Sequence, residues 1–252
     1  MFWTAAQEVS RTALKAGSLM PIATQTSTIH QRGVTFRLHL KGPHAHQKPA
    51  PGERPDNPFL PYDPAMYVAD AGPSHVCLLN KFPVLSPHLL ICTRTFVAQT
   101  TPLTLSDFQA WAMGFDSPNT LGFYNSGPLA GASQTHRHMQ LVQTDIPLEE
   151  TILHGGLPFP HHLSRFETFS AAHAFDAYQQ ALHTHKHTPC NILLTNRWLL
   201  LVPRRLGHIN GVSVNGINYS GCFLVNDLQQ AEWLSNYGPM RLLTECSESP
   251  TP

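Results

Sequence analysis

The sequence predicts an α+β fold, and two observations carry that reading. Runs of strand character and runs of helical character both occur, yet without the regular βα alternation of a doubly wound sheet. Hydrophobic residues make up 42% of the 252 residues, enough to bury a core without metal or disulfide staples.

The elements follow in chain order. Thr4-Ala-Ala-Gln7 has the form of a capping box, and the stretch to Gly17 fits a short helix. Val34, Phe36, Leu38 and Leu40 alternate with polar residues, as a strand does when one face is buried. Residues 41–64 hold seven prolines and little apolar periodicity, which marks an irregular excursion. Two strand-like runs, 75–82 and 88–95, are joined through Pro83 and Pro87. Ser106-Asp-Phe-Gln109 repeats the capping-box form and opens a second helix. Residues 121–126 read as a strand, 127–133 as a Gly/Pro/Ala/Ser loop and 135–143 as a strand again. Residues 144–164 are rich in Pro, Gly and His and show no clear element. A helix fits 171–183, and 191–195 and 198–202 are apolar runs of the kind buried strands show. Short strands at 212–214 and 222–225 and a helix at 227–237 complete the chain.

Composition removes several function classes. Sixteen Lys and Arg balance sixteen Asp and Glu, so no bulk basic surface for nucleic acid is expected. Any anionic ligand must be held by a few placed donors. No apolar run reaches the roughly 18 residues of a membrane span. Glu8, Arg11 and Lys15 interrupt the first 25 residues, which argues against a signal peptide. Five cysteines, Cys77, Cys92, Cys190, Cys222 and Cys246, are an odd number without a CxxC pair. Neither a disulfide framework nor a cysteine zinc site is expected, and the setting reads as reducing and cytoplasmic.

The most informative stretch is Asn125-Ser-Gly-Pro-Leu-Ala-Gly-Ala-Ser-Gln-Thr-His-Arg-His-Met-Gln140. If 135–143 is a strand, His136, His138, Gln140 and Val142 share one face, and Arg137, Met139, Leu141 and Gln143 share the other. Same-face neighbours then sit about 6.6–6.8 Å apart, a row that can address one extended polar ligand. The preceding loop, Gly127 to Ser133, offers backbone N–H groups that can form an anion-binding nest. It is no P-loop, since Ala-Ser follows the second glycine in place of Lys-Ser or Lys-Thr. A nest beside a histidine suggests phosphoryl or nucleotidyl chemistry, because imidazole near neutral pH is largely unprotonated and can attack phosphorus. The alternative from spacing alone is a buried or metal-bound HxH pair in a sheet.

Asn125-Ser-Gly and Gly131-Ala-Ser-Gln-Thr-His-Arg-His-Met-Gln140 resemble the signature of the ATP adenylyltransferase, or diadenosine tetraphosphate phosphorylase, family. This family belongs to the histidine triad superfamily, together with galactose-1-phosphate uridylyltransferase. Asn80-Lys-Phe-Pro-Val-Leu-Ser-Pro-His-Leu-Leu-Ile91 is similar to a second family segment. A weaker third comprises Asn191–Trp198, Val202-Pro-Arg204 and Val214-Asn-Gly through Ser220-Gly221. The pieces run in family order over roughly residues 75–240.

The resemblance implies a histidine-triad-like antiparallel sheet with flanking helices, two half-units in one compact chain. An N-terminal catalytic portion would span 1–165, with 41–64 as a Pro-rich insertion, and a C-terminal portion 166–252. It implies phosphorolysis of diadenosine tetraphosphate to ADP and ATP, with His138 as the nucleophile that carries the adenylyl group. Gln140 takes the place of the third histidine of hydrolytic relatives, which favours transfer over hydrolysis, since a carboxamide cannot shuttle a proton. His136 reads as a partner of the nucleophile. Lys81, Asn125, Gly131, Ala132, Ser133 and Gln134 match polyphosphate-binding positions, and Asn215, Gly216, Ile217 and Cys222 match nucleoside contacts. The bland readings stand beside these: Lys81 as a solvated lysine, Asn125 as a turn residue. Asn226 departs from a family lysine and removes a charge. The partners implied are diadenosine tetraphosphate, ATP, ADP and phosphate, with no nucleic acid and no membrane. No tightly bound cofactor is implied; magnesium would arrive with the nucleotide.

Two rival readings accompany this one. The first is another nucleotidyltransferase or hydrolase of the superfamily. The second is a non-catalytic histidine-rich metal-binding protein, prompted by 16 histidines and by His183-Thr-His-Lys-His187, where two imidazoles four apart could chelate. Thr188-Pro189 ends that helix, and a polar surface turn is the simpler account. His88 reads as a buried structural histidine, and Trp111, Trp198 and Trp233 as core.

Overall fold

The computed structural model of the protein describes residues 2–43, 57–184 and 189–247. His44, His46, His185 and His187, and most of the Pro-rich excursion, lie outside the described residues. Strand β1 (Thr24–Gln31) and strand β2 (Val34–Lys41) form a hairpin; β3 (Tyr67–Asp70), β4 (His75–Leu79) and β5 (His88–Thr93) follow. Next come β6 (Thr120–Asn125), β7 (His138–Gln143), β8 (His162–Arg165), β9 (Cys190–Leu194) and β10 (Trp198–Pro203). The last strands are β11 (His208–Ile209), β12 (Val212–Ser213) and β13 (Cys222–Val225). The helices are α1 (Phe2–Ala16), α2 (Leu105–Ala112), α3 (Glu149–Leu153), α4 (Ala171–Thr184), α5 (Leu228–Tyr237) and α6 (Pro239–Cys246).

Eight strands form one sheet in the order β3-β4-β5-β7-β6-β9-β10-β8, antiparallel at every junction. The expected α+β architecture is thus the one found, and this sheet joins five strands from residues 67–143 to three from residues 162–203. β1, β2 and β13 form a separate three-stranded sheet in which β13 runs parallel to β2.

Side-chain alternation sends the central strands into two cores. Met139 and Leu141 of β7, Ile192 and Leu194 of β9, and Leu199 and Leu201 of β10 pack on one face with α1, α2 and α4. Val142, Leu193, Trp198, Leu200 and Val202 pack on the other, under β2, β13, α5 and α6. Each fully buried large apolar side chain contributes about 1.5–3 kcal/mol, so strands covered on both sides read as unbroken apolar runs. On the second face a smaller cluster, Phe59, Val76, Leu78, Leu90 and Cys92, lies over β4 and β5. The polar positions of β7, His138 and Gln140, fall between these two clusters in the register: His138 is opposite Cys92 and Gln140 opposite Phe123 and Leu90.

Several boundaries differ from the sequence reading. Helix α1 already includes Phe2, so Thr4–Gln7 lies within it and is not its cap. The capping box of α2 is Thr104 with Asp107, two residues before Ser106: Asp107 N donates to Thr104 Oγ1, and Thr104 N to Asp107 Oδ2 at 2.6 Å. Residues 144–164, read as lacking an element, contain α3 and the start of β8. Strand β1, Thr-Gln-Thr-Ser-Thr-Ile-His-Gln, has no apolar alternation. It forms because Arg32 and Gly33, both at positive φ, make a tight hairpin turn that lays it along β2.

Candidate active site

His138 starts strand β7 and is buried, with 4% of its surface exposed. Its Nδ1 lies 2.8 Å from the backbone carbonyl of His136. A carbonyl only accepts, so Nδ1 carries the proton and Nε2 keeps its lone pair. Burial lowers the pKa of this imidazole to about 4, with the bond to the His136 carbonyl opposing the shift. The ring is therefore neutral at physiological pH, and its Nε2 can attack an electrophile.

His136 holds this arrangement without offering a nitrogen of its own. Its Nε2 donates to Thr93 O at 2.9 Å, with Thr93 Oγ1 at 2.8 Å, and its Nδ1 accepts from Asn57 Nδ2 at 2.9 Å. Burial lowers its pKa as well, partly offset by the Thr93 bond. The Phe59 ring covers both histidines, its centroid 5.3 Å from His138 and 5.6 Å from His136. That shared contact places the two imidazoles on one face, as the strand period requires.

Gln140 is two residues on. Its Oε1 accepts from His88 Nε2 at 3.0 Å, and His88 Nδ1 in turn accepts from Asn80 Nδ2 at 3.1 Å. The relay fixes the carboxamide with its oxygen toward His88. The Gln140 NH₂ group makes no hydrogen bond among the described residues and is left to donate. His88, read as a buried structural histidine, is half-buried and orients this glutamine.

Arg137 projects from the opposite face. Its guanidinium bonds Asp107 Oδ2 at 2.8 Å, Thr101 O at 2.7 Å and Pro102 O at 2.9 Å. His75 Nε2 lies 2.9 Å from Asp107 Oδ1. Burial pushes the Asp107 carboxyl up, but its bonds from His75 and Thr104 and the Arg137 charge hold it below the usual carboxylate range.

The loop before β7 differs from the nest expected at Gly127–Ser133. Ala130, Gly131 and Ala132 donate their N–H groups to Gly127 O, Pro128 O and Gly127 O, so those amides are consumed within the loop. Ser133 is exposed and Gln134 half-buried, and neither side chain is bonded among the described residues. Among the described residues the loop amides without a backbone partner are those of Gly127, Leu129, Ser133 and Gln134, and only the last two adjoin the histidine strand. Gly131 has φ +84°, and a Cβ there would lie 2.5 Å from Asn215 Cβ, so glycine is required for the loop to meet the C-terminal part of the chain.

Asn125 makes the other connection. Its Oδ1 accepts from Asn191 Nδ2 and from Gly216 N, both at 2.8 Å, which commits the oxygen to architecture and leaves its NH₂ without a bond among the described residues. Arg204, 1% exposed, bonds Asn191 Oδ1 and Val214 O and lies over the Tyr219 ring. The three sequence pieces around Asn191, Arg204 and Asn215 are thus one packed unit. Asn215 caps a 3-10 turn (Gly216–Ser220) by accepting from Ile217 N at 3.1 Å. Ile217 packs against the second core. Cys222 is buried on β13 opposite Arg37, in the three-stranded sheet, and burial raises its pKa. Lys81 is exposed, its Nζ 5.9 Å from the Phe82 ring centroid. Lys41 Nζ donates to Asn226 Oδ1 at 2.5 Å, which brings a cation to the position where the family lysine is missing.

Sequence reasoning missed Gln99, Asn57, Phe59 and Thr93, which surround the histidines from loops and strand ends without any motif. Among the described residues no group of three His, Cys, Asp or Glu could hold a metal ion; of the His183, His185 and His187 trio only His183, on α4, is among them.

Residues 1–158 match the profile of the Ap4A phosphorylase N-terminal domain, and residues 155–249 that of the ATP adenylyltransferase C-terminal domain. The chain belongs to the Ap4A phosphorylase family. It is 27% identical over 233 residues to diadenosine tetraphosphate phosphorylase 2 of Saccharomyces cerevisiae, covering 71% of this chain and 72% of that one. It is 29% identical over 148 residues to Protein APA1 of the same yeast, covering 53% of this chain and 46% of that one. The crystal structure of yeast Ap4A phosphorylase Apa2 in complex with Ap4A superimposes with a TM-score of 0.81 at 24% identity, over 100% of this chain and 98% of that one. The same enzyme in complex with AMP gives 0.82. The superpositions establish that this Ap4A phosphorylase family member has the family fold along its whole described length.

Proposed function

We propose that the protein catalyses phosphorolysis of diadenosine tetraphosphate to ADP and ATP, by reversible adenylyl transfer through His138. The observation that carries the reading is the Nδ1–H bond from His138 to the His136 carbonyl, which leaves Nε2 as the free nitrogen. Nε2 attacks the α-phosphorus in line. The N–P bond forms as the P–O bond to ATP breaks, and the electron pair leaves on the ATP oxygen. The Nδ1 proton stays on the ring, so the positive charge it gains faces a carbonyl oxygen. Inorganic phosphate then attacks the same phosphorus. The P–N bond breaks, ADP departs and His138 recovers its lone pair. One difficult transfer becomes two displacements at one centre.

The unbonded NH₂ of Gln140 and the amides and side chains of Ser133 and Gln134 serve as donors to phosphate oxygens. Lys81 screens the polyphosphate, and Asn215, Gly216 and Ile217 border the nucleoside. Gly131 and Ala132 shape the loop that presents these donors, and Cys222 contributes at the nucleoside end. Residues 1–165 form the catalytic portion and 166–252 the portion that completes the nucleotide site. Five free buried cysteines support a reducing, cytoplasmic setting. No helix among the described residues is long and apolar enough to cross a membrane.

A product assay tests the reaction. With phosphate, the wild-type protein is expected to yield ADP and ATP in equal amounts; His138→Ala is expected to yield neither. AMP and ATP formed at the same rate without phosphate would assign hydrolysis instead.

A further inference from the structure

Strands β6 and β7 pair from Thr120↔Gln143 to Phe123↔Gln140, and continued register would set Asn125 opposite His138. At that step the ladder opens, and the carboxamide of Gln99 occupies the gap. Gln99 Oε1 accepts from His138 N at 2.8 Å. Gln99 Nε2 donates to Asn125 O at 2.8 Å and to His138 O at 3.3 Å. The side chain stands in for a strand, satisfying both backbone groups of the nucleophile and tying them to β6. Gln99 is itself held: its N–H donates to Thr135 O at 2.7 Å, and its carbonyl accepts from Tyr124 Oη. The loop that carries it is pinned by Arg137, which donates to Thr101 O and Pro102 O. With 2% exposure, the bonds form away from water, where losing a partner leaves a buried polar group unsatisfied.

We propose that Gln99 is a positioning residue for adenylyl transfer: its carboxamide, wedged between Asn125 and His138, sets the point from which Nε2 attacks. The backbone of His138 also fixes its imidazole through the neighbouring His136 carbonyl, so a shift of the His138 amide carries the whole ring with it. Gln99 touches no reacting atom. Its effect passes through His138, where a displacement of about 1 Å from an in-line approach lowers the rate roughly 100-fold. The inference rests on the covalent reading above.

The test is rapid-quench measurement of adenylyl-enzyme formation from saturating diadenosine tetraphosphate without phosphate, for wild type, Gln99→Met and Gln99→Glu. The burst amplitude counts competent sites, and the burst rate reports positioning. Gln99→Met removes all three bonds at similar volume and is expected to keep the wild-type amplitude with a rate roughly 100-fold lower. Gln99→Glu keeps the acceptor for His138 N but loses both donors, and its rate should fall between the two. A wild-type burst rate with reduced amplitude would make Gln99 merely structural and overturn the proposal. So would failure of both variants to melt cooperatively. A wild-type protein that turns over with no burst would defeat the covalent reading, and the positioning role with it, a failure visible in the wild-type trace alone.

Discussion

His138 donates its Nδ1–H to the main-chain carbonyl of His136, two residues back on the same strand face. The contact selects one tautomer of a buried imidazole, and the HxH spacing acquires a physical meaning from it. The first histidine supplies a carbonyl and is locked by Asn57 and Thr93; the second keeps a free nitrogen.

Because burial lowers the His138 pKa to about 4, the nucleophile stays unprotonated well below neutrality. The rate of adenylyl-enzyme formation is expected to be flat from pH 7 to pH 5 and to fall only toward pH 4. A decline centred on the ordinary histidine value of about 6.5 would contradict the buried, neutral ring. The same shift links stability to pH. In the unfolded chain this ring takes up a proton below about 6.5, whereas in the fold it resists until about 4. Its contribution is complete above pH 6.5 and is lost as pH falls toward 4, on the order of 3 kcal/mol. The depressed pKa of His136 acts in the same direction. Urea midpoints at pH 7 and pH 4.5 check this; equal midpoints would refute it.

Gln140 accepts from His88 and has no proton to shuttle. Replacing it, Gln140→His, is expected to raise attack by water relative to phosphate, read as AMP against ADP formed per ATP released. An unchanged product ratio removes Gln140 from the choice of acceptor.

Asp107 neutralises Arg137 at 2.8 Å where both side chains are almost fully buried. Asp107→Ala strands the guanidinium and is expected to cost about 3–5 kcal/mol in denaturant unfolding. A loss below about 1 kcal/mol, the range of exposed pairs, would show that water reaches the site.

Gly131 sits at φ +84° against Asn215. Gly131→Ala is expected to destabilise the fold by more than about 1 kcal/mol and to lower activity, since the backbone must shift to admit the methyl group. Unaltered melting and activity would mean that the loop has room to move.

Much of this was legible in the sequence where local pattern and chemistry coincide. The strand period alone put His136, His138 and Gln140 on one face, and unbroken apolar runs identified β9 and β10. The register of a sheet is less visible. Gln99 is one glutamine in a loop, and it matters only because β6 and β7 separate beside it. Asn57 and Phe59 act on residues about eighty positions away, from within a proline-rich stretch that carries no periodicity. Asn125 suited phosphate binding by its chemistry, yet its oxygen is spent on Asn191 and Gly216, a tertiary contact that no local pattern encodes. Strand β1 escaped because Ile29 is its one apolar residue and its place is owed to the turn at Arg32-Gly33.

The most direct measurement is the intact mass of the protein after mixing with diadenosine tetraphosphate in the absence of phosphate, for wild type and for His138→Ala. The wild-type chain should gain one adenylyl group and lose it when phosphate is added, while the variant keeps its starting mass. An equal gain by the His138→Ala protein, or wild-type turnover through a chain that never gains mass under these conditions, would contradict a transfer carried by His138.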